Sequence, residues 1–200
     1  EDADAQLKEL TGDQPISWEP LITVGKPADE ISRAVEEKDI DLVITATRGR
    51  SGLKRIILGS VTERLMRTLS CPLLVVNSPE HKFISVADQA VKIEKILVGC
   101  DFSPDSGQAF NHALSLAQEF QAELHLAHVI EPPTQPELNL EDTPVPEELQ
   151  QDYRDLLARK LKEMVPVEAR NWCTPKTSLL EGQPYEEIVT YAESKDIDMI

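Results

Sequence analysis

Gly25-Lys26-Pro27-Ala28-Asp29-Glu30-Ile31 and Gly182-Gln183-Pro184-Tyr185-Glu186-Glu187-Ile188 are two versions of one segment, and the pairing runs on through Lys38-Asp39-Ile40-Asp41 and Lys195-Asp196-Ile197-Asp198. The offset stays at 157 residues from Gly25 against Gly182 to Asp41 against Asp198. Solenoid arrays repeat every ~20–50 residues, so an offset this long is a domain duplication. In both copies a proline stands where a helix opens, since a first helical residue needs no N–H. In the first copy that helix leads into Asp41-Leu42-Val43-Ile44-Thr45-Ala46-Thr47, a short β-branched run suited to a buried parallel strand.

Working outward, the first copy reads as the end of a helix (Glu1 to Leu10), a strand (Ser17 to Val24), a helix (Pro27 to Lys38), the Asp41 to Thr47 strand, a loop (Arg48 to Leu58), a helix (Ser60 to Leu69) and a strand (Pro72 to Asn77). The second copy opens with the strand Lys95 to Cys100 and a helix that Ser103 caps and Pro104 begins, with Ala109, Phe110, Ala113, Leu114 and Ala117 as its apolar face. A strand (Glu123 to Ile130), a proline-rich acidic loop, a helix (Glu147 to Met164), a strand near Thr177 to Leu180 and the repeated helix follow. Alternating strands and helices predict an α/β fold with a parallel sheet covered on both faces. Residues 1–78 are expected to belong to one domain, 79–91 to a linker and 92–200 to a second domain. The first copy continues into a glycine loop whose counterpart lies beyond Ile200, so the expectation is a window on a tandem protein of roughly 300 residues.

A net charge of −16 argues against general binding to nucleic acid or anionic membrane, both of which need a basic surface. Any anion site must be local. Cys71, Cys100 and Cys173 lie far apart without CxxC spacing and read as structural thiols. No apolar run approaches the ~18–20 residues of a membrane helix, and the cytoplasm is the expected location.

Against that acidic background, Arg48, Arg50, Lys54 and Arg55 fall together with Gly49 and Gly52 directly after a strand. Glycines let backbone N–H groups approach an anion, and the helix beginning near Ser60 would aim its positive end at the same place. Ser60-Val61-Thr62-Glu63 also fits a capping box, which needs no ligand. Asp101 after the Lys95 to Cys100 strand can be a ligand contact or a turn organiser. His125 and His128 sit three apart on a strand, point to opposite faces and cannot jointly hold a metal. Trp18 and Trp172, each before a strand, read as packing residues.

Ala46-x2-Gly49-x9-Gly59-Ser60, then Val61-Thr62-Glu63 and Cys71-Pro72-Leu73-Leu74-Val75-Val76, resembles the universal stress protein family, with Ala46 where the family's first signature glycine falls. Ile96-Leu97-Val98-Gly99-Cys100-Asp101-Phe102-Ser103 and His128-Val129-Ile130 in the second copy resemble the opening of the same domain. The resemblance implies tandem Rossmann-like, flavodoxin-like open sheets in strand order 3-2-1-4-5. It also implies an ATP site, with Mg2+ beside the nucleotide, in which the first-strand aspartate and the end of the second strand hold adenosine and the glycine loop holds phosphates. The nucleotide-contacting candidates so implied are Ala46, Thr47, Arg48, Gly49, Arg50, Gly59, Ser60, Val61 and Thr62 in the first copy and Gly99, Asp101 and Val129 in the second. Each set is half of a pocket.

The resulting expectation is an ATP-binding regulator of the stress response that forms a homo-dimer, or an intramolecular pseudo-dimer, and acts on a regulatory protein not named by the sequence. With no activated nucleophile in view, any ATP hydrolysis is expected to be slow. The alternative is a protein-interaction scaffold of the same fold that binds no nucleotide.

Overall fold

A computed structural model describes residues 17–47, 59–77, 84–85, 90–131 and 146–200. The chain divides into two compact units, Glu1–Glu80 and His81–Ile200. In the first, helix α1 (Pro27–Glu37), strand β1 (Val43–Thr47), helix α2 (Ser60–Thr68) and strand β2 (Leu73–Asn77) follow in order. β1 and β2 are parallel, with Val43 opposite Leu73 and Thr47 opposite Asn77. The two helices meet through an Arg64–Asp29 ion pair at 2.6 Å and a Ser32–Thr68 hydroxyl bond at 3.0 Å, and Ala28, Val35, Thr62 and Leu65 are buried.

The strand expected at Ser17 to Val24 is not formed. Residues 17–24 are exposed and belong to no ladder, Leu21 being 51% and Val24 97% accessible. At the offset of 157 the equivalent segment of the second unit, Pro175–Glu181, is a strand held by its neighbour Glu123–Ile130, and residues 17–24 have no such neighbour among the described residues. A β-run without a partner has no ladder to satisfy its backbone. Trp18, expected to pack, is 38% accessible for the same reason. The expected helix at Glu1 to Leu10 lies outside the described residues.

Within the stretch expected to be an unpatterned linker, β3 (Ile84–Ser85) and β4 (Ala90–Val91) form a short antiparallel ladder. The second unit then runs β5 (Lys95–Gly99), α3 (Pro104–Phe120), β6 (Glu123–Ile130), α4 (Glu147–Glu163), a 3-10 turn at Val167–Asn171, β7 (Pro175–Glu181) and α5 (Pro184–Lys195). Its sheet is parallel in the order β5-β6-β7, with Gly99 opposite Ala127 and Val129 opposite Leu180. Met199 bridges Ile96 in parallel on the free side of β5. In chain order this sheet reads third, second, first, and the first unit contributes a separate parallel pair. Among the described residues no one sheet carries all five strands of the expected order.

The main core lies between the sheet and helices α3 and α4, where Ile96, Val98, Phe110, Ala117, Leu124, Leu126 and Leu161 are buried. A smaller cluster under α5 holds Leu97, Ala127, Ala192 and Ile197. Burial from both sides is what the unbroken apolar run Ile96-Leu97-Val98 of β5 anticipates.

The duplicated segment repeats in conformation as well as in sequence. Asp39 and Asp196 both adopt left-handed backbone, φ 50 and 51. The next N–H closes back onto the helix in both copies, Ile40 to Val35 at 3.1 Å and Ile197 to Ala192 at 3.0 Å, the helix-ending arrangement that a left-handed residue permits. Asp198 then accepts the backbone N–H groups of Glu94 and Lys95 at 2.8 and 2.9 Å, fixing the start of β5.

Under α5 a polar chain crosses the smaller core. Ser178 Oγ and Tyr191 Oη are 3.0 Å apart, Tyr191 Oη lies 2.9 Å from His125 Nδ1, and His125 Nε2 lies 2.5 Å from Glu123, which also accepts from Lys176 Nζ at 2.7 Å. His125 is 1% accessible, and its burial pushes the imidazole pKa down despite the opposing pull of Glu123. The folded pKa therefore lies below the unfolded 6.5, so stability is complete above that value and declines as the pH falls through and below it. Lys176 holds the Glu123 carboxyl below its ordinary 4.5, so the loss from that group comes only at more acid pH. Urea midpoints between neutral pH and pH ~5 should fall for the parent protein and stay flatter for His125→Gln. Equal slopes in the two proteins would mean that His125 is not the titrating group.

Candidate nucleotide site

Carboxyl ends of strands in an open parallel sheet are where ligands bind. In the second unit three expected residues come together at that end. Gly99 closes β5 level with Ala127 of β6, Asp101 follows in the turn after it, and Val129 stands two residues beyond Ala127 near the end of β6. The turn that follows is tightly built. Asp101 Oδ1 accepts the Ser103 N–H at 2.9 Å, and Ser103 Oγ accepts the Ser106 N–H at 3.1 Å, so Ser103 caps α3 as its sequence predicts. Hydrogen bonding from Ser103, with help from Ser106, holds the exposed Asp101 carboxyl down to about 2. It is an anion at any ordinary pH, and it organises the turn whatever else it does.

Phe102 and His128 carry weight here that sequence reasoning did not assign. Phe102 sits at φ 63, a region a bulky side chain seldom enters. Its ring packs on His128 with centroids 4.6 Å apart, and the Lys160 ammonium lies 5.1 Å from the centre of the same phenyl ring. His128 Nδ1 donates to the Cys100 carbonyl at 2.7 Å, which ties the end of β6 to the end of β5. Strain of this sort persists where surrounding structure over-determines it, commonly at ligand sites. The signal available in the sequence was the Asp-Phe-Ser-Pro turn directly after a strand. As expected, His125 and His128 face opposite sides of the sheet, one toward α5 and the other toward Phe102.

In the first unit, Ala46 and Thr47 end β1 beside Val76 and Asn77, and Gly59, Ser60, Val61 and Thr62 form the opening of α2. Arg48, Gly49 and Arg50 lie outside the described residues. The capping box is a correction. Gly59, not Ser60, is the N-cap, at φ −64 and ψ 148, and no side chain caps the helix. Ser60 has moved to the first helical position, so its hydroxyl cannot reach the N–H it would cap, and Glu63 instead pairs with Arg67 at 2.9 Å. The first-turn N–H groups of α2 are thereby left to solvent or a ligand.

Gly59 has a further property. A Cβ added there would meet nothing within 4 Å, and its φ is open to any residue. Neither its φ nor the packing of the described residues calls for glycine at this point. Space kept clear at an uncapped helix start is what a phosphate needs for close approach to backbone N–H groups.

A cavity of about 840 Å3 in the second unit lies elsewhere, at the amino ends of the strands, bounded by Glu94, Phe120, Glu123, Trp172 and Thr174. None of the expected site residues lines it.

Parallel sheets flanked by helices, with a turn-bound carboxylate after β5 in the second unit and the glycine-led helix α2 in the first, define an open-sheet α/β protein. The match to the universal stress protein family, over residues 1–77 and 92–200, shows that the chain belongs to that family of stress-response proteins. It is 36% identical over 77 residues to universal stress protein MJ0531 of Methanocaldococcus jannaschii, covering 38% of this chain and 45% of that protein. The crystal structure of a universal stress protein from Archaeoglobus fulgidus DSM 4304 is similar at a TM-score of 0.58 and 22% identity, over 88% of this chain and 55% of that one. A chain assigned to the universal stress proteins from Pseudomonas aeruginosa UCBPP-PA14 gives a TM-score of 0.65 at 19% identity, over 98% of this chain and 66% of that one. At these identities the structural likeness speaks for the fold. The matched stretch spans just under half the length of the curated relatives. Among the described residues no helix is long and apolar enough to cross a membrane.

Proposed function

We propose that the protein is a tandem universal stress protein, with domains at 1–78 and 92–200 joined by 79–91, that binds ATP and serves as a nucleotide-dependent regulator. The observation that carries this reading is Gly59, a glycine at an uncapped helix start that neither its φ nor its neighbours require. ATP fits the donor set of the first unit, where the first-turn N–H groups of α2, the Ser60 hydroxyl and, by the family resemblance, Arg48, Gly49 and Arg50 would hold phosphates and Mg2+ would supply further charge neutralisation. In the second unit Gly99, Asp101 and Val129 occupy the adenosine side of an equivalent pocket. The last strand of the first domain, β2, is the natural edge for pairing into a homo-dimer or an internal pseudo-dimer.

Calorimetric titration of the 200-residue chain with Mg2+ and ATP, alongside Gly59→Asp, tests the reading. A carboxylate at the phosphate position should weaken binding by about tenfold or more, through like-charge repulsion at close range. Saturable binding that Gly59→Asp leaves intact would remove the first unit from the site. No saturable binding by the parent at millimolar ATP would leave the scaffold reading as the better account.

A further inference from the structure

A second cavity of the second unit, about 570 Å3, lies along strand β7 against α5 and is lined by His125, Lys176, Thr177, Ser178, Tyr191 and Lys195. It shares no residue with the nucleotide candidates. In a chain of net charge −16 it presents two ammonium groups and three hydroxyls. Lys176 is balanced by Glu123 at 2.7 Å. Lys195, by contrast, makes no ion pair among the described residues, and its ammonium lies 5.9 Å from the Tyr191 ring centre.

The direction of the buried polar chain follows from its ends. The Glu123 carboxylate only accepts, so His125 Nε2 carries the hydrogen and Nδ1 is left to accept from the Tyr191 hydroxyl. Ser178 in turn donates to Tyr191 at 3.0 Å. Both hydroxyl hydrogens are then engaged inside the protein, and the cavity meets lone pairs. A proton added at Nδ1 reverses the first bond. Nδ1–H now donates to Tyr191 Oη, and a hydroxyl hydrogen is released toward the cavity.

We propose that this cavity binds a phosphate-type oxyanion, free or as a monoester head group, together with one proton taken up at His125. The Lys195 ammonium supplies the charge and the released hydroxyl hydrogen the orientation. The groups that act on His125 are Glu123 on its own strand, Lys176 on β7, Lys95 on β5, and Tyr191 and Lys195 from α5. Only one of these is an anion, so a second negative charge in the cavity stabilises the imidazolium. By linkage, the imidazolium strengthens anion binding by the same factor.

Sulfate is the probe of choice because its own charge does not change near neutral pH. In the full 200-residue chain, sulfate should raise the NMR titration midpoint of the His125 ring. Its affinity should fall about tenfold for each pH unit between the midpoint of the free protein and the raised midpoint, the slope of one linked proton, and level off above the latter. Lys195→Gln, altering an exposed side chain, should weaken sulfate about tenfold with the fold intact, as followed by the His125 resonance itself. Tyr191→Phe keeps the ring packing and should abolish the pH dependence. An unmoved His125 midpoint, pH-independent affinity, or full affinity in Lys195→Gln would overturn the proposal, the last by placing sulfate elsewhere, as at the start of α2. Glycerol phosphate separates the two sources: tighter binding than sulfate indicates a monoester ligand, equal binding a free oxyanion, and both support the site.

Discussion

Phe110→Ala is expected to destabilise the second unit by about 3–5 kcal/mol, the usual cost of removing a buried phenyl ring. Phe110 is 4% accessible and belongs to the cluster that joins α3 to β5, β6 and α4. The ring leaves behind a space bordered by strand and helix backbones that cannot close in together, so a cavity adds to the lost transfer energy. Domains of this size are stable by only about 5–15 kcal/mol, so the variant should lose at least about a fifth of its margin. Trp172 packs against the same cluster and Trp18 is exposed, which makes tryptophan fluorescence in urea a direct report of the affected unit. A loss under about 1 kcal/mol would mean that Phe110 is not a keystone of the core.

Asp198→Ala should cost about 1–3 kcal/mol through a different mechanism, since it strands two backbone donors, Glu94 N–H and Lys95 N–H, that one carboxylate oxygen now satisfies. The same corner holds Leu97 N–H to the Met199 carbonyl at 2.8 Å and Lys95 Nζ to the Lys195 carbonyl at 2.7 Å. Asp198→Asn keeps a neutral acceptor of the same reach but gives up the charge, and should lose roughly half as much. Amide exchange at Glu94 and Lys95 should quicken in Asp198→Ala. Unchanged exchange there would show that water replaces the carboxylate without penalty.

What could be read from the sequence was local, and what could not was relational. Pro27 and Pro184 at helix starts, the Ser103 cap and the β-branched run of β1 act through their own backbone, so their signals survive without knowledge of neighbours. Ser17 to Val24 has the composition of a strand and no ladder, because a strand exists only with a partner. The α2 cap shifted by one residue because Gly59 takes extended backbone as readily as Ser60 could, and an S-x-x-E match does not fix which residue leads. Asp198 acts on residues lying 104 and 103 positions earlier, and His125 meets Tyr191 across 66, separations that no local pattern encodes. In the candidate site, Gly99, Asp101 and Val129 are nominated by family resemblance, and they lie at or just past the carboxyl ends of β5 and β6. Phe102 and His128 were not, since a left-handed phenylalanine and a histidine clamp appear only once the chain has turned.

Strand β7 lies at the border of its sheet, and every such border is an invitation to aggregate. Its composition answers that hazard. Pro175 opens the strand without an N–H to offer, Lys176 follows with a charge that a stacked copy would have to place beside its own, and Glu181 closes it with another. The aliphatic stretch between them, Leu179-Leu180, is too short to seed a steric zipper while those gatekeepers flank it. The residue that neutralises Glu123 inside the fold thus also places a charge on the sheet's open edge, so edge protection and the internal polar chain rest on the same lysine.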